Sequence, residues 1–128
     1  MNTLGIGVDL VEVPRVKSII ADKGSRVFER LLTPQEREYC ESRADAATHV
    51  AVRLAAKEAV YKALQGSDAA RGIGWREIEV VRSPDGRPDI FLSGAAAARA
   101  QELGVERVHL SLSHTHLAAV AVALLVGP

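Results

Sequence analysis

A chain of 128 residues is long enough to form one domain with its own hydrophobic core, without metal or disulfide staples. Sixteen Lys and Arg balance sixteen Asp and Glu, so there is no basic excess of the kind a general nucleic-acid or membrane binder carries, and electrostatic recognition must be local. The single cysteine, Cys40, excludes an intrachain disulfide, and the longest apolar run, Leu117 to Val126, falls far short of the ~20 residues that cross a bilayer; with no basic leader ahead of Asp9 and Glu12, a reducing cytoplasm is the expected home.

Leu4 to Val13 reads as a strand, stopped by Pro14, which opens a helix at its first turn. Val16, Ile19 and Ile20 give that helix an apolar face, and Arg15, Lys17 and Lys23 make the other side basic. Thr33-Pro34-Gln35-Glu36 is a capping box with proline at the first helical position, opening a short polar helix. A long helix is expected from about Asp45 to Gln65, ending at Gly66. The following segment, Gly66 to Gly74, is mobile by composition. Glu77 to Arg82 and Asp89 to Ser93 read as a hairpin around Pro84-Asp85-Gly86. Ala95 to Leu103 is an alanine-rich helix closed by Gly104, and Val108 to Ser113 with Leu117 to Leu125 form a second hairpin meeting at Thr115-His116. The order predicts an α+β fold with a mainly antiparallel sheet packed on a long central helix, in a single domain over residues 1–128. Leu117 to Leu125 is apolar on both faces, so its second face should be covered, either by self-association or by the domain's own helices.

The long helix carries the strongest signal. In Arg53-Leu54-Ala55-Ala56-Lys57-Glu58-Ala59-Val60-Tyr61-Lys62-Ala63-Leu64 four charges sit in a helix that is otherwise apolar nearly all round. At about 100° per residue Arg53 and Lys57 share one stripe and Glu58 and Lys62 another. Burying such charges costs several kcal/mol each unless they are paired, which points to an anionic or metallic partner. The plainer reading pairs Glu58 with Lys62 along the helix and lets Arg53 and Lys57 snorkel to solvent.

Asp9 lies in Gly7-Val8-Asp9-Leu10-Val11, in a β-branched strand that disfavours aspartate. Paired with Glu58 it would offer a hard cation two carboxylates, a set that suits Mg²⁺ with waters and a substrate phosphate; otherwise it caps a turn or meets Lys57 in a structural ion pair. Lys62, one turn beyond Glu58, would neutralise phosphate oxygens or simply serve as Glu58's helix partner. His114, in Ser111-Leu112-Ser113-His114-Thr115-His116, sits at a hairpin tip that binds a ligand or faces water. The pair His114 and His116 lacks a third ligand at zinc spacing, and the glycines from Gly66 to Gly74 match neither a P-loop nor a dinucleotide fingerprint.

Taken together, Gly5 to Val13, Arg53 to Leu64 and Ser111 to His114 resemble the holo-acyl-carrier-protein synthase family of 4′-phosphopantetheinyl transferases, small stand-alone class. Leu32 to Cys40 and Gly86-Arg87-Pro88 extend the resemblance nearly end to end. It implies an enzyme, a homotrimer with active sites between subunits, that moves 4′-phosphopantetheine from coenzyme A to a serine of an apo acyl carrier protein and releases adenosine 3′,5′-bisphosphate. By family position Asp9 and Glu58 hold Mg²⁺ and Lys62 steadies phosphate charge. Arg53 and His114 lie near the nucleotide end of coenzyme A, Gly66 belongs to a loop lining that pocket, and Arg15 docks the acidic carrier helix. Glu58, Glu36 or a metal-bound water would receive the serine proton. Two departures stand out: Leu54 replaces the usual aromatic residue before Ala-Ala-Lys-Glu, and Gly66-Ser67-Asp68 replaces the usual Gly-Thr-Gly, which brings Asp68 near the phosphate pocket. A Mg²⁺-dependent phosphodiesterase using the same carboxylates on water, and a non-catalytic trimeric binding module, are the competing readings.

Overall fold

The computed structural model describes all residues, Met1 to Pro128. Strand β1 (Asn2–Glu12) runs into helix α1 (Val13–Lys23), with Pro14 in its first turn as expected. Two short helices follow, α2 (Arg26–Leu31) and α3 (Pro34–Glu41), then the long helix α4 (Ala46–Ala63). Beyond 3-10 turns at Ala69–Gly72 and Trp75–Glu77 come β2 (Ile78–Arg82), β3 (Pro88–Leu92), α5 (Gly94–Leu103), β4 (Arg107–His114) and β5 (Ala118–Gly127).

Two antiparallel sheets result, one of three strands in the order β1-β5-β4 and one hairpin, β2-β3. The expected α+β architecture is therefore present, with the antiparallel strands divided between two sheets and α4 between them. The side of α4 that carries Ala59 and Ala63 lies on β1 and β5, and its back meets α3 and β2. Eleven of the eighteen α4 residues are buried, Arg53 and Lys57 included.

Close approach of α4 to β1 depends on glycine. A Cβ built on Gly7 would lie 1.9 Å from the Ala59 carbonyl oxygen, and one on Gly5 would lie 2.3 Å from that of Ala63. Because the obstruction is backbone, it cannot rotate away. We expect Gly7→Ala to cost about 3 kcal/mol or more, lowering the melting temperature by roughly 10 °C or more, measurable by thermal circular dichroism.

Helix boundaries fall close to expectation, with instructive exceptions. The capping box of α3 is formed in full by Thr33 and Glu36. Helix α4 stops at Ala63, two residues short of the expected Gln65, and Arg99 of α5 takes the carbonyls just beyond it: Nε donates to Leu64 (2.7 Å) and Nη2 to Gln65 (3.1 Å). The segment from Gly66 to Gly74, mobile by its composition, is tied down: Gln65 Nε2 donates to Ala70 O (3.0 Å), the Ala70 amide to Ser67 Oγ (3.2 Å) and the Tyr61 hydroxyl to Arg71 O (3.1 Å). Asp68 is exposed. Helix α2 has no counterpart in the sequence reading; it is one and a half turns long and buries only Val27 and Phe28.

Cys40 is fully buried, and burial pushes its thiol up to about 11. The native protein should therefore resist thiol reagents at pH 8, with modification following unfolding in a denaturant titration.

Candidate active site

Alternation along β1 places Gly5, Gly7, Asp9 and Val11 toward α4, and Ile6, Val8 and Leu10 away from it. Asp9 pairs with Ala121 of β5, at the far edge of the three-stranded sheet from β4. Its Oδ1 lies 2.9 Å from Lys62 Nζ, which also donates to Val8 O (3.1 Å). Neither expected alternative for Asp9, a turn cap or a pair with Lys57, is what forms. Its partner is Lys62, which lies on α4.

Glu58 is half-buried on the same flank of α4. Its carboxyl is pushed above the usual range by burial and then by the nearby Asp9 carboxylate, with Lys62 acting in the opposite sense. Two carboxylates thus influence each other here, and the one ammonium present is bonded to Asp9. No cluster of three or more His, Cys, Asp or Glu exists, which rules out an all-protein cage made from those groups. It is compatible with Mg²⁺, which binds one or two carboxylates and retains several waters. The donor chemistry fits that ion.

Arg53 and Lys57 do not snorkel. Lys57 is 1% exposed and Arg53 7%. Lys57 Nζ is 2.6 Å from Glu36 Oε1, and Glu36 is itself only 2% exposed. With both its oxygens engaged in the core, Glu36 has no route to a substrate hydroxyl, which removes it from the candidate bases.

A second cluster gathers around Tyr39. The guanidinium carbons of Arg43 and Arg53 are each 4.3 Å from its ring centroid and that of Arg82 is 5.0 Å away, while His49 meets the ring edge-on at 5.4 Å. None of these arginines has a carboxylate partner within 4.0 Å. Arg53 Nη1 donates to His49 O (3.3 Å), but its Nε is buried with no acceptor, an orphan donor that costs about 1–3 kcal/mol. His49 is held below the usual range by burial and then by Arg53 and Arg43. The cavity here, of about 400 Å³, is also lined by Pro88, Leu112 and His114. Unpaired positive charge, an orphan donor and an aromatic face together make an anion site suited to a phosphorylated nucleoside.

These two clusters lie on opposite flanks of α4. Arg53 and Glu58 are five residues apart, which at 100° per residue sets them about 140° apart around the axis. His114 is on β4 and Asp9 on β1, the two outer strands of a three-stranded sheet, about 10 Å apart across two inter-strand spacings. Within one chain the structure brings Asp9, Glu58 and Lys62 together, and separately Arg53 and His114, but does not join the groups. Gly66 follows the Glu58 and Lys62 end of α4, with its segment fixed by Arg99. Arg15 is exposed on α1, the helix that directly follows the Asp9 strand. Sequence reasoning missed Tyr39, Arg43 and Arg82. Tyr39 and Arg43 are close in sequence, but Arg43 lies past the end of α3 at Glu41, so helical spacing does not predict the contact, and Arg82 joins only through the fold.

A family model described as the 4′-phosphopantetheinyl transferase superfamily matches residues 5–123. The holo-[acyl-carrier-protein] synthase of Koribacter versatilis is 48% identical over 122 residues, covering 95% of this chain and 97% of its own. Among solved structures, the holo-[acyl-carrier-protein] synthase from Neisseria meningitidis superposes with a TM-score of 0.85 at 28% identity, covering 98% of this chain and 99% of that one. One from Bacillus anthracis, in complex with CoA (3′,5′-ADP), does so at 0.78 and 30% identity, covering 98% of each chain. The chain belongs to the holo-[acyl-carrier-protein] synthase family of phosphopantetheinyl transferases, and it is an enzyme of that kind.

Proposed function

We propose that this single-domain enzyme transfers 4′-phosphopantetheine from coenzyme A to a serine hydroxyl of an apo acyl carrier protein, with Mg²⁺, releasing adenosine 3′,5′-bisphosphate. The observation that carries the reading is the convergence of Asp9, Glu58 and Lys62 in a chain whose relatives bind CoA and bear the synthase name. In the reaction the serine oxygen forms a bond to the phosphorus nearer the pantetheine. The bond from that phosphorus to the bridging oxygen breaks, the bridging oxygen leaves with the adenosine bisphosphate, and one proton is released overall. Phosphoryl transfer of this kind needs charge neutralisation and in-line positioning more than covalent help.

Asp9 and Glu58 would hold Mg²⁺, which when bound supplies positive charge against the pyrophosphate. Lys62 leaves Asp9 and turns to phosphate oxygens, an exchange made easy because its side chain is half exposed. Arg53, with its orphan Nε, and His114 receive the nucleotide end of coenzyme A, Arg82 adds charge to the same cavity, and Arg43 packs on the Tyr39 ring beside it. The loop after Gly66 borders this bound coenzyme. Arg53→Ala should raise the KM for coenzyme A by about tenfold or more while barely altering the KM for 3′-dephospho-coenzyme A. An equal rise for both would place the 3′-phosphate elsewhere.

Two features support the homotrimer. Ile6, Val8 and Leu10 are 66%, 56% and 61% exposed, and Val122, paired with Val8, is 39% exposed, so the chain's own helices leave this apolar face open. The coenzyme-binding and metal-binding clusters also flank α4 on opposite sides, and a closed ring would bring one copy's Arg53 side to the next copy's Asp9 side. Arg15 on the basic face of α1 is our docking residue for an acidic carrier helix. Arg15→Glu should raise the KM for carrier protein and reduce its dependence on salt, leaving the KM for coenzyme A unchanged.

The first experiment is intact mass of an apo carrier protein after incubation with enzyme, coenzyme A and Mg²⁺. Gain of one phosphopantetheine group supports the transferase; adenosine bisphosphate release without carrier would favour the hydrolase instead.

A further inference from the structure

The ion pair between Glu36 and Lys57 is satisfied on every side. Besides its contact with Glu36 Oε1 at 2.6 Å, Lys57 Nζ donates to the carbonyl oxygens of Trp75 (2.9 Å) and Ile78 (2.7 Å), which uses all three ammonium hydrogens. The Glu36 carboxylate also accepts from the Thr33 amide at Oε1 and the Val80 amide at Oε2, both at 2.9 Å. Both side chains are out of water, at 1% and 0% exposure. Stability does not explain them, because well-packed apolar residues in place of a buried ion pair hold a core equally well or better.

The ammonium does what apolar packing would not do: it fixes two backbone carbonyls of the Trp75–Ile78 turn at set distances from α4, at the residue beside Glu58. That turn supplies one wall of a cavity of about 230 Å³ whose lining includes Glu58, Tyr61, Ile73, Gly74 and Trp75. Glu77 steadies the turn from outside, accepting from the Gly74 and Ala95 amides at 2.6 Å each.

We propose that Glu36 and Lys57 are positioning residues for the transfer step: they brace the Trp75 wall against α4 and so set the space in front of Glu58 where the reacting groups meet. The proposal rests on the transferase reading of Glu58. It makes the buried pair a determinant of turnover rather than of coenzyme affinity, since the nucleotide end is held at the Arg53 cavity.

Trp75 is the only tryptophan, so its emission and anisotropy report on this wall alone. Glu36→Gln and the double variant Glu36→Gln/Lys57→Met, which removes both charges together, should each leave a folded protein of unchanged oligomeric state. In both, Trp75 anisotropy should fall and kcat should drop between about tenfold and hundredfold, with the KM for coenzyme A nearly unchanged. Wild-type kcat with a loosened Trp75, or reduced kcat with an unaltered Trp75, would each overturn the proposal, as would a loss expressed only in the KM for coenzyme A. If the double variant does not fold, Glu36→Gln carries the same readouts. Failure of the wild-type protein to modify any apo carrier would instead strike the transferase reading, while the Trp75 measurement still decides whether the pair holds the wall.

Discussion

Asp9→Ala/Glu58→Ala will lower the rate of transfer to an apo carrier protein by at least roughly 10³-fold and leave the fold standing. Both parts follow from placement. Asp9 and Glu58 bring two negative charges together beside a single ammonium, an arrangement with electrostatic repulsion that a divalent cation would relieve. Neither side chain fills the core: Asp9 is part-exposed at a strand edge and Glu58 is half-buried on a helix flank. Removing Glu58 takes away a group whose folded-state pKa is raised. Such a carboxyl lowers stability as pH rises from its unfolded value through its folded one, so at neutral pH its loss should raise the melting temperature of metal-free protein slightly. The expected signature is therefore no gain of phosphopantetheine by intact mass, together with a melting temperature equal to or above wild type. A fold that collapses would show these residues to be structural, and one that stays active would sink the metal pair.

The second large effect concerns assembly. If the trimer proposed above forms, Val8→Glu/Val122→Glu should convert it to monomer by sedimentation velocity and abolish turnover. The two residues pair across β1 and β5 on the open face of the sheet, and burying paired like charges there would cost several kcal/mol. A sharper test separates assembly from chemistry. Asp9→Ala and Arg53→Ala proteins, each weakened alone, should regain activity when unfolded, mixed and refolded together. If each site draws Asp9 from one subunit and Arg53 from its neighbour, about a quarter of the sites in randomly mixed rings are intact. A site confined to one chain would recover nothing on mixing.

Much of this arrangement was legible in the residues, for identifiable reasons. The capping box at Thr33 and Glu36, the proline stop at Pro14 and the Gly104 closure are local, and the structure forms all three. Alternation is a local signal for strands, and the doubly apolar Leu117 to Leu125 run called for cover on its second face without saying whether a helix or another copy supplies it; within the chain no helix does, since Ile6, Val8, Leu10 and Val122 stay exposed. The anomalous charges in α4 pointed to the right helix, but their partners were not readable. Lys57 meets Glu36 twenty-one residues earlier, and Lys62 meets Asp9 fifty-three residues earlier. Both pairings are settled by how α4 lies against α3 and β1, which helical periodicity does not encode. For the same reason Glu36 looked available for proton transfer when it is enclosed, and the arginine cluster at Tyr39 went unseen because β2 brings Arg82 to it from thirty-nine residues beyond Arg43.

The glycine seam between β1 and α4 has a further consequence. Where strand and helix lie backbone against backbone at Gly5 and Gly7, there is no compressible layer of side chains between the element bearing Asp9 and the element bearing Glu58. The separation of the backbones that carry the two carboxylates is thus set by the main chain itself. Drift elsewhere in the core can change volumes and rotamers without reaching it, so the Mg²⁺ site we propose would be insulated from the ordinary churn of sequence. Retuning that span for a larger metal would mean rebuilding the seam rather than swapping a ligand.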